Sequence, residues 1–169
     1  MLFRNNHSSF KAMVEAHSGD IYRFAYWLCR DKSVAEDLVQ ETFARAWANW
    51  EQVRDEKAAK GWLLTICHHE HARLYEKKRV EIDDQELDEM MQAVESKIEA
   101  SYEMREALGM LPLPYREPLL LQVLGGFSCA EIGELVGISE TTAMQRVTRA
   151  RKAMREIFEK PEMGWGMKS

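Results

Sequence analysis

The chain has 169 residues, 46% of them hydrophobic and 30% charged, which suits one ordinary domain or two small ones with a highly charged surface. No apolar run approaches about 20 residues, which argues against a membrane span, and the three scattered cysteines, Cys29, Cys67 and Cys129, fit reduced thiols rather than a disulfide framework. The formal net charge of -5 would argue against nucleic-acid partners if it were spread evenly, so its distribution along the chain decides.

Strand-like alternation is nearly absent and helical spacing dominates, so an all-α fold is expected. In the first segment Phe10, Met13, Val14, Ile21, Phe24, Ala25 and Leu28 recur at helical spacing. Ser33, with Glu36 three residues on, reads as a capping box opening "VAEDLVQETFARAWANW". "KGWLLTICHHEHARLYEKKR" follows and grows basic towards its end. The N-terminus lacks the apolar core and cleavage site of a signal peptide, so a cytoplasmic protein is expected.

"VEIDDQELDEMMQAVESKIEA" is strongly acidic and is expected to be a flexible linker that becomes helical near Met91. Pro112 and Pro114 then mark the end of one helix and the start of the next. "REPLLLQVLGG" reads as a buried helix stopped by Gly125 and Gly126. Ser128 with Glu131 forms a second capping box, Gly137 ends that short helix, and Ser139 or Glu140 opens the next. The expected organisation is therefore a helical domain at 1–80, an acidic linker at 81–100, a second helical domain at 101–160 and a tail at 161–169.

Two short helices around a glycine turn match a helix-turn-helix. Ala130, Ile132, Leu135, Val136 and Ile138 would form its seam, continued by Val147, Ala150 and Met154. Thr142, Gln145, Arg146, Arg149 and Lys152 would share the other face of the second helix. Hydroxyl, amide and guanidinium groups of this kind bond base edges and phosphates.

Three segments together resemble the extracytoplasmic-function (group IV) sigma factors of bacterial RNA polymerase: "AEDLVQETFARAW", "GWLLTICHHEHARLYEKKR" and "LPLPYREPLLLQVLGGFSCAEIGELVGISETTAMQRVTRARKAM". The resemblance implies a non-enzymatic initiation factor that binds core RNA polymerase and promoter DNA. Such a factor would use no cofactor, metal or small-molecule substrate, would not insert into a membrane, and would be held in check by an anti-sigma factor. Asp37, Gln40, Glu41 and Phe43 would then contact core polymerase. His69, Arg73, Lys77, Lys78 and Arg79 would serve the −10 region. Thr141, Thr142, Gln145, Arg146 and Arg149 would serve the −35 region. Trp47, Trp62 and Ile66 would pack the core. The chain departs from the family at Thr65 and Met144, where a basic residue is usual, and at His69, where asparagine is common.

"CHHEH" also invites a metal reading, because Cys67, His68, His69, Glu70 and His71 are all potential ligands within five residues. Its spacing is not HExxH, and no further ligands are obvious, so a polar helix face towards DNA is the preferred reading. Two competing functions remain at this level. One is a stand-alone helix-turn-helix regulator, which leaves "DLVQETF" unexplained. The other is a metal-dependent hydrolase centred on "CHHEH".

Overall fold

The computed structural model describes residues 2–52, 55, 58–75, 82–98 and 103–155. Among these residues every regular element is helical, so the fold is all-α. The chain divides into two compact units. The first comprises Met1–Arg79 with Leu124–Phe127; the second comprises Val80–Val123 with Ser128–Ser169.

The first unit holds α1 (Leu2–Cys29), α2 (Lys32–Ala48), a 3-10 turn (Trp50–Gln52) and α3 (Ala59–Tyr75). The three helices pack against one another in every pairing. Their apolar residues recur three and four apart, so each helix buries one stripe. Ile21, Phe24 and Ala25 of α1, Ala35, Leu38 and Ala46 of α2, and Leu63, Leu64 and Cys67 of α3 are all buried. Thr42 is buried too, and its hydroxyl donates to the Leu38 carbonyl at 2.7 Å, which satisfies it within the helix.

The start of α2 differs from the sequence expectation. Arg30 takes a left-handed backbone at φ 54 and ends α1. Asp31 is then the N-cap, accepting the Val34 amide at 3.1 Å. Aspartate accepts as well as serine at this position, and it stands directly after the chain reversal. Ser33 therefore falls inside α2, exposed.

The second unit begins with α4 (Asp84–Ile98). This helix starts at Asp84 rather than near Met91. Asp83 caps it, accepting the Glu86 amide at 2.8 Å, and Asp84 and Glu86 sit in the first turn, where the helix dipole favours negative charge. Leu87, Met91 and Ile98 are buried on one face, so the acidic residues occupy the rest of an amphipathic helix.

Next come α5 (Met104–Met110) and α6 (Leu113–Gly125). The buried Arg116 donates to the Leu111 carbonyl at 2.7 Å and so pins the turn between them. α6 starts at Leu113, with Pro114 in its first turn as expected, where a missing amide costs little. Pro118 lies inside the helix.

α7 (Cys129–Val136) and α8 (Glu140–Ala153) pack together. Both bonds of the Ser128–Glu131 capping box are present, and Gly137 closes α7 in the left-handed conformation at φ 79. Ser139 caps α8 through the Thr142 amide at 3.0 Å. Ile132, Ala143, Val147, Ala150 and Met154 are buried in this unit. Ala130, expected in the seam, is exposed, while Leu135, Val136 and Ile138 are half-buried.

Candidate functional site

The first surface lies on α2 and α3. Asp37, Gln40 and Glu41 are exposed on α2, and Phe43 is half-buried. Asp37 and Glu41 are four apart and share a helix face with Arg45. With Leu38 of α2, and with Glu70, Arg73 and Leu74 of α3, they line an open groove of about 450 Å³. Charges alternate along it. Arg45 meets Glu41 at 3.1 Å and Glu70 at 2.5 Å, and Arg73 meets Glu70 at 3.5 Å. Leu74 is 55% exposed at the groove's edge.

The "CHHEH" stretch divides between two environments because it is helical. Cys67, His68, Glu70 and His71 are buried, whereas His69 is exposed. Glu70 is committed to two arginines, and the His71 ring lies 4.5 Å from that of Tyr75. Among the described residues no group of three or more His, Cys, Asp and Glu side chains converges as a metal site would require.

A second row runs along α3. Trp62, Ile66, His69 and Arg73 follow one another at four- and three-residue spacing, so they share a face. None of the four is fully buried, which corrects the expectation that Trp62 and Ile66 belong to the core. They lie beside the buried stripe rather than within it. Trp47 is corrected in the same way: it is 48% exposed, with one edge against Phe10 at 4.9 Å. The Thr65 hydroxyl donates to the Gly61 carbonyl at 2.9 Å. Lys77, Lys78 and Arg79 lie outside the described residues.

The third surface is α8. Ala143, Val147 and Ala150 face inward. Thr141, Gln145, Thr148 and Lys152 are exposed and recur at four- and three-residue spacing, which makes an outward polar row. Thr148 was not singled out in the sequence; its place in this row could have been read from the same spacing. Met144 is 52% exposed on one flank. Thr142, Arg146 and Arg149 are half-buried on the other. Thr142 is drawn into the cap, its hydroxyl accepting from Ser139 Oγ at 2.9 Å.

Arg149 is occupied. Its Nε donates to Glu95 and its Nη1 to Asp88, both at 2.5 Å. Nη1 also reaches the Tyr115 hydroxyl at 3.4 Å, and the guanidinium carbon lies 5.8 Å from the centre of the Tyr115 ring. Burial alone pulls this guanidinium's pKa down, but the hydrogen bonds to Asp88 and Glu95 outweigh it and hold the group above its ordinary value. Sequence reasoning did not find these two carboxylates, because it took their segment as linker.

Residues 13–81 match the family Sigma-70 region 2, and residues 101–154 match Sigma-70, region 4. EcfG of Rhodopseudomonas palustris, an ECF RNA polymerase sigma factor, is 32% identical over 139 residues, spanning 80% of this chain and 77% of that protein. The chain belongs to the extracytoplasmic-function sigma factors of RNA polymerase. SigM of Bacillus subtilis, another ECF sigma factor, is 29% identical over 153 residues, covering 86% of this chain and 93% of SigM. The fold is similar to that of the sigma factor RpoE of Bartonella quintana, solved in complex with the anti-sigma factor NepR. The TM-score is 0.63 at 24% identity, over 90% of this chain and 98% of that one. As a sigma factor, the protein has core RNA polymerase and promoter DNA as its partners, and it acts in transcription initiation. No described helix is long and apolar enough to cross a membrane.

Proposed function

We propose that this sigma factor divides its work among the three surfaces described above. Residues 1–80 bind core polymerase and the −10 element, and residues 101–160 bind the −35 element. Asp37, Gln40, Glu41 and Phe43 form the polymerase-facing part of the first surface. Exposed carboxylates with the exposed Leu74 at the groove's edge suit a basic, partly apolar partner, while Phe43 lies half-buried on another side of α2. The α3 row of Trp62, Ile66, His69 and Arg73 meets opened −10 DNA. It offers an aromatic stacking surface, a ring that can donate or accept, and a cation for phosphate. The acidic segment 81–100 joins the two regions.

The single observation that carries the −35 reading is the outward row Thr141, Gln145, Thr148 and Lys152, set beside Arg146 on a capped helix-turn-helix. This face fits the major groove, with hydroxyl and amide groups for base edges and cations for phosphates. The protein is cytoplasmic and catalyses nothing itself, polymerase supplying the chemistry. An anti-sigma factor restrains it, a reading supported by the likeness to the NepR-bound RpoE fold.

The test is run-off transcription with bacterial core polymerase and a library of genomic promoter fragments. Discrete start sites sharing two upstream motifs are expected, and they should be lost in Arg146→Ala combined with Lys152→Ala. Initiation that ignores those substitutions would overturn the −35 reading.

A further inference from the structure

The side chain placed to meet −35 phosphate from the flank of α8 is already bound to anions of its own chain. Arg149 is the one residue of the predicted −35 set with a carboxylate ion pair among the described residues. Both partners come from α4, far away in sequence: Glu95 is 54 residues off and Asp88 is 61. Asp88 and Glu95 stand seven apart on α4, two turns along the same face, so one arginine can reach both. Tyr115 closes the remaining side of the guanidinium.

We propose that α4 is an internal competitor for promoter DNA, its Asp88 and Glu95 carboxylates occupying on Arg149 the sites that phosphate oxygens take in the bound state. The inference rests on the reading of α8 as the −35 helix. Carboxylate and phosphate make the same charge-assisted bonds to a planar guanidinium, so one can replace the other without reshaping Arg149. The arrangement is also weak enough to exchange. The Asp88 side chain is 50% exposed and that of Glu95 35%, so solvent screens both pairs. The buried anchors Leu87, Met91 and Ile98 hold α4 in the second unit independently of the ion pairs. Release of Arg149 therefore needs only side-chain motion, with the helix staying docked. The acidic segment thus lowers promoter affinity, in holoenzyme as in the free chain, by the cost of displacing its carboxylates from Arg149.

The test uses holoenzyme assembled from core polymerase and the full chain, titrated with a promoter fragment recovered in the transcription experiment. D88N/E95Q keeps side-chain size and removes both charges. It should bind about two- to thirtyfold more tightly than the parent, the range expected for freeing an arginine from two exposed ion pairs. E86Q/E89Q removes two exposed charges from the same helix, neither paired with Arg149, and should give a clearly smaller gain. In a R149Q background the gain from D88N/E95Q should vanish. An equal gain from E86Q/E89Q, or a gain that persists without Arg149, would show general charge repulsion and overturn the proposal. Unchanged or weaker binding by a folded D88N/E95Q would overturn it as well, leaving Arg149 as a structural clamp. If the double variant does not fold, D88N and E95Q singly carry the same test. R146A separates the two levels. Affinity lost in R146A with no gain in D88N/E95Q defeats this inference alone, whereas affinity indifferent to R146A defeats the −35 reading and this inference with it.

Discussion

The carboxylate of Glu70 on α3 meets the guanidinium of Arg45 on α2 at 2.5 Å, and the two sides of this pair are unequally exposed: 11% for Glu70 and 43% for Arg45. The pair stitches together the helices that form the groove of the first unit. Its asymmetry decides which partner matters more. Removing Arg45 leaves a nearly buried carboxylate with Arg73 at 3.5 Å. Removing the Glu70 charge leaves an arginine that still has water and Glu41 at 3.1 Å. Loss of one partner is costly when the survivor is buried and cheap when it is solvated. Arg45→Ala should therefore cost about 1–2 kcal/mol, and Glu70→Gln less than about 1 kcal/mol. Trp27, Trp47, Trp50 and Trp62 all lie in the first unit, so tryptophan fluorescence during urea unfolding reads this difference. The reverse order would mean that Glu70 is needed for something other than this pair.

The helix-turn-helix depends on space as well as charge. A Cβ on Gly133 would stand 2.7 Å from the Ile138 carbonyl oxygen, an overlap with backbone that no rotamer relieves. A Cβ on Gly137 would meet nothing, but φ there is 79, a conformation that disfavours side chains. Gly133→Ala should thus cost about 1–3 kcal/mol by overpacking. Gly137→Ala should cost about 1–2 kcal/mol through backbone strain. The two differ in outcome for function. Gly133→Ala pushes the turn that orients α8 and should weaken promoter binding even where the protein stays folded; Gly137→Ala should lower stability with less effect on binding. Circular dichroism melts beside promoter titrations would separate them.

The capping box at the start of α7 has a pH signature. The hydrogen bonds from the Ser128 backbone, and then from its side chain, hold the Glu131 carboxyl below the usual carboxylate range. A carboxyl whose pKa is lower folded than unfolded stabilises the fold above its unfolded value and loses that contribution as pH falls through the folded one. The window therefore opens near the ordinary value of 4.5 and extends below it. Glu131→Gln should flatten the acid limb of the stability profile in that window. Ser128→Ala should lower stability by about 1 kcal/mol at neutral pH and flatten the same limb only in part, because the backbone amide of residue 128 still donates to Glu131. Unfolding monitored by circular dichroism from neutral to acid pH checks both. An acid limb identical in parent and Glu131→Gln would remove Glu131 from the account.

What was legible in the sequence was local. Ser128, Glu131, Gly137 and Ser139 could be placed because a cap needs only residues within one turn of each other, and the buried seam at Val147, Ala150 and Met154 followed from period alone. The resemblance to the sigma family rested on motifs equally local in the chain. Failures came where two local signals competed or where tertiary distance ruled. Ser33 is a capping residue type three residues before Glu36, but Asp31 is one too, and the turn at Arg30 gives it the cap. The charge run before Met91 looked like linker because its weak apolar stripe, Leu87, Met91 and Ile98, was outnumbered by carboxylates. Trp47 and Trp62 had core-like composition, yet each sits at the margin of its buried stripe. No reading of short windows could have joined Arg149 to Asp88 and Glu95.

On the −35 reading proposed for α8, its outward row would divide base reading from phosphate holding. Gln145 stands near the start of the helix, the part of a recognition helix that approaches base edges, whereas Lys152 stands near its end. A glutamine amide can pair bidentately with adenine, and such a contact contributes about 1–3 kcal/mol of discrimination at one base pair. Gln145→Ala should therefore relax preference at a single position of the −35 motif by that amount while leaving the salt dependence of binding unchanged. Lys152 offers a point charge that suits any phosphate. Lys152→Ala should weaken all promoters alike and lower the slope of log affinity against log salt by about 0.9. Transcription from a randomised −35 library reads the first effect, and promoter titration across a salt series reads the second. If Gln145→Ala weakens every sequence equally, that residue holds the backbone, and base reading passes to Thr141 and Met144 in the same first turns of the helix.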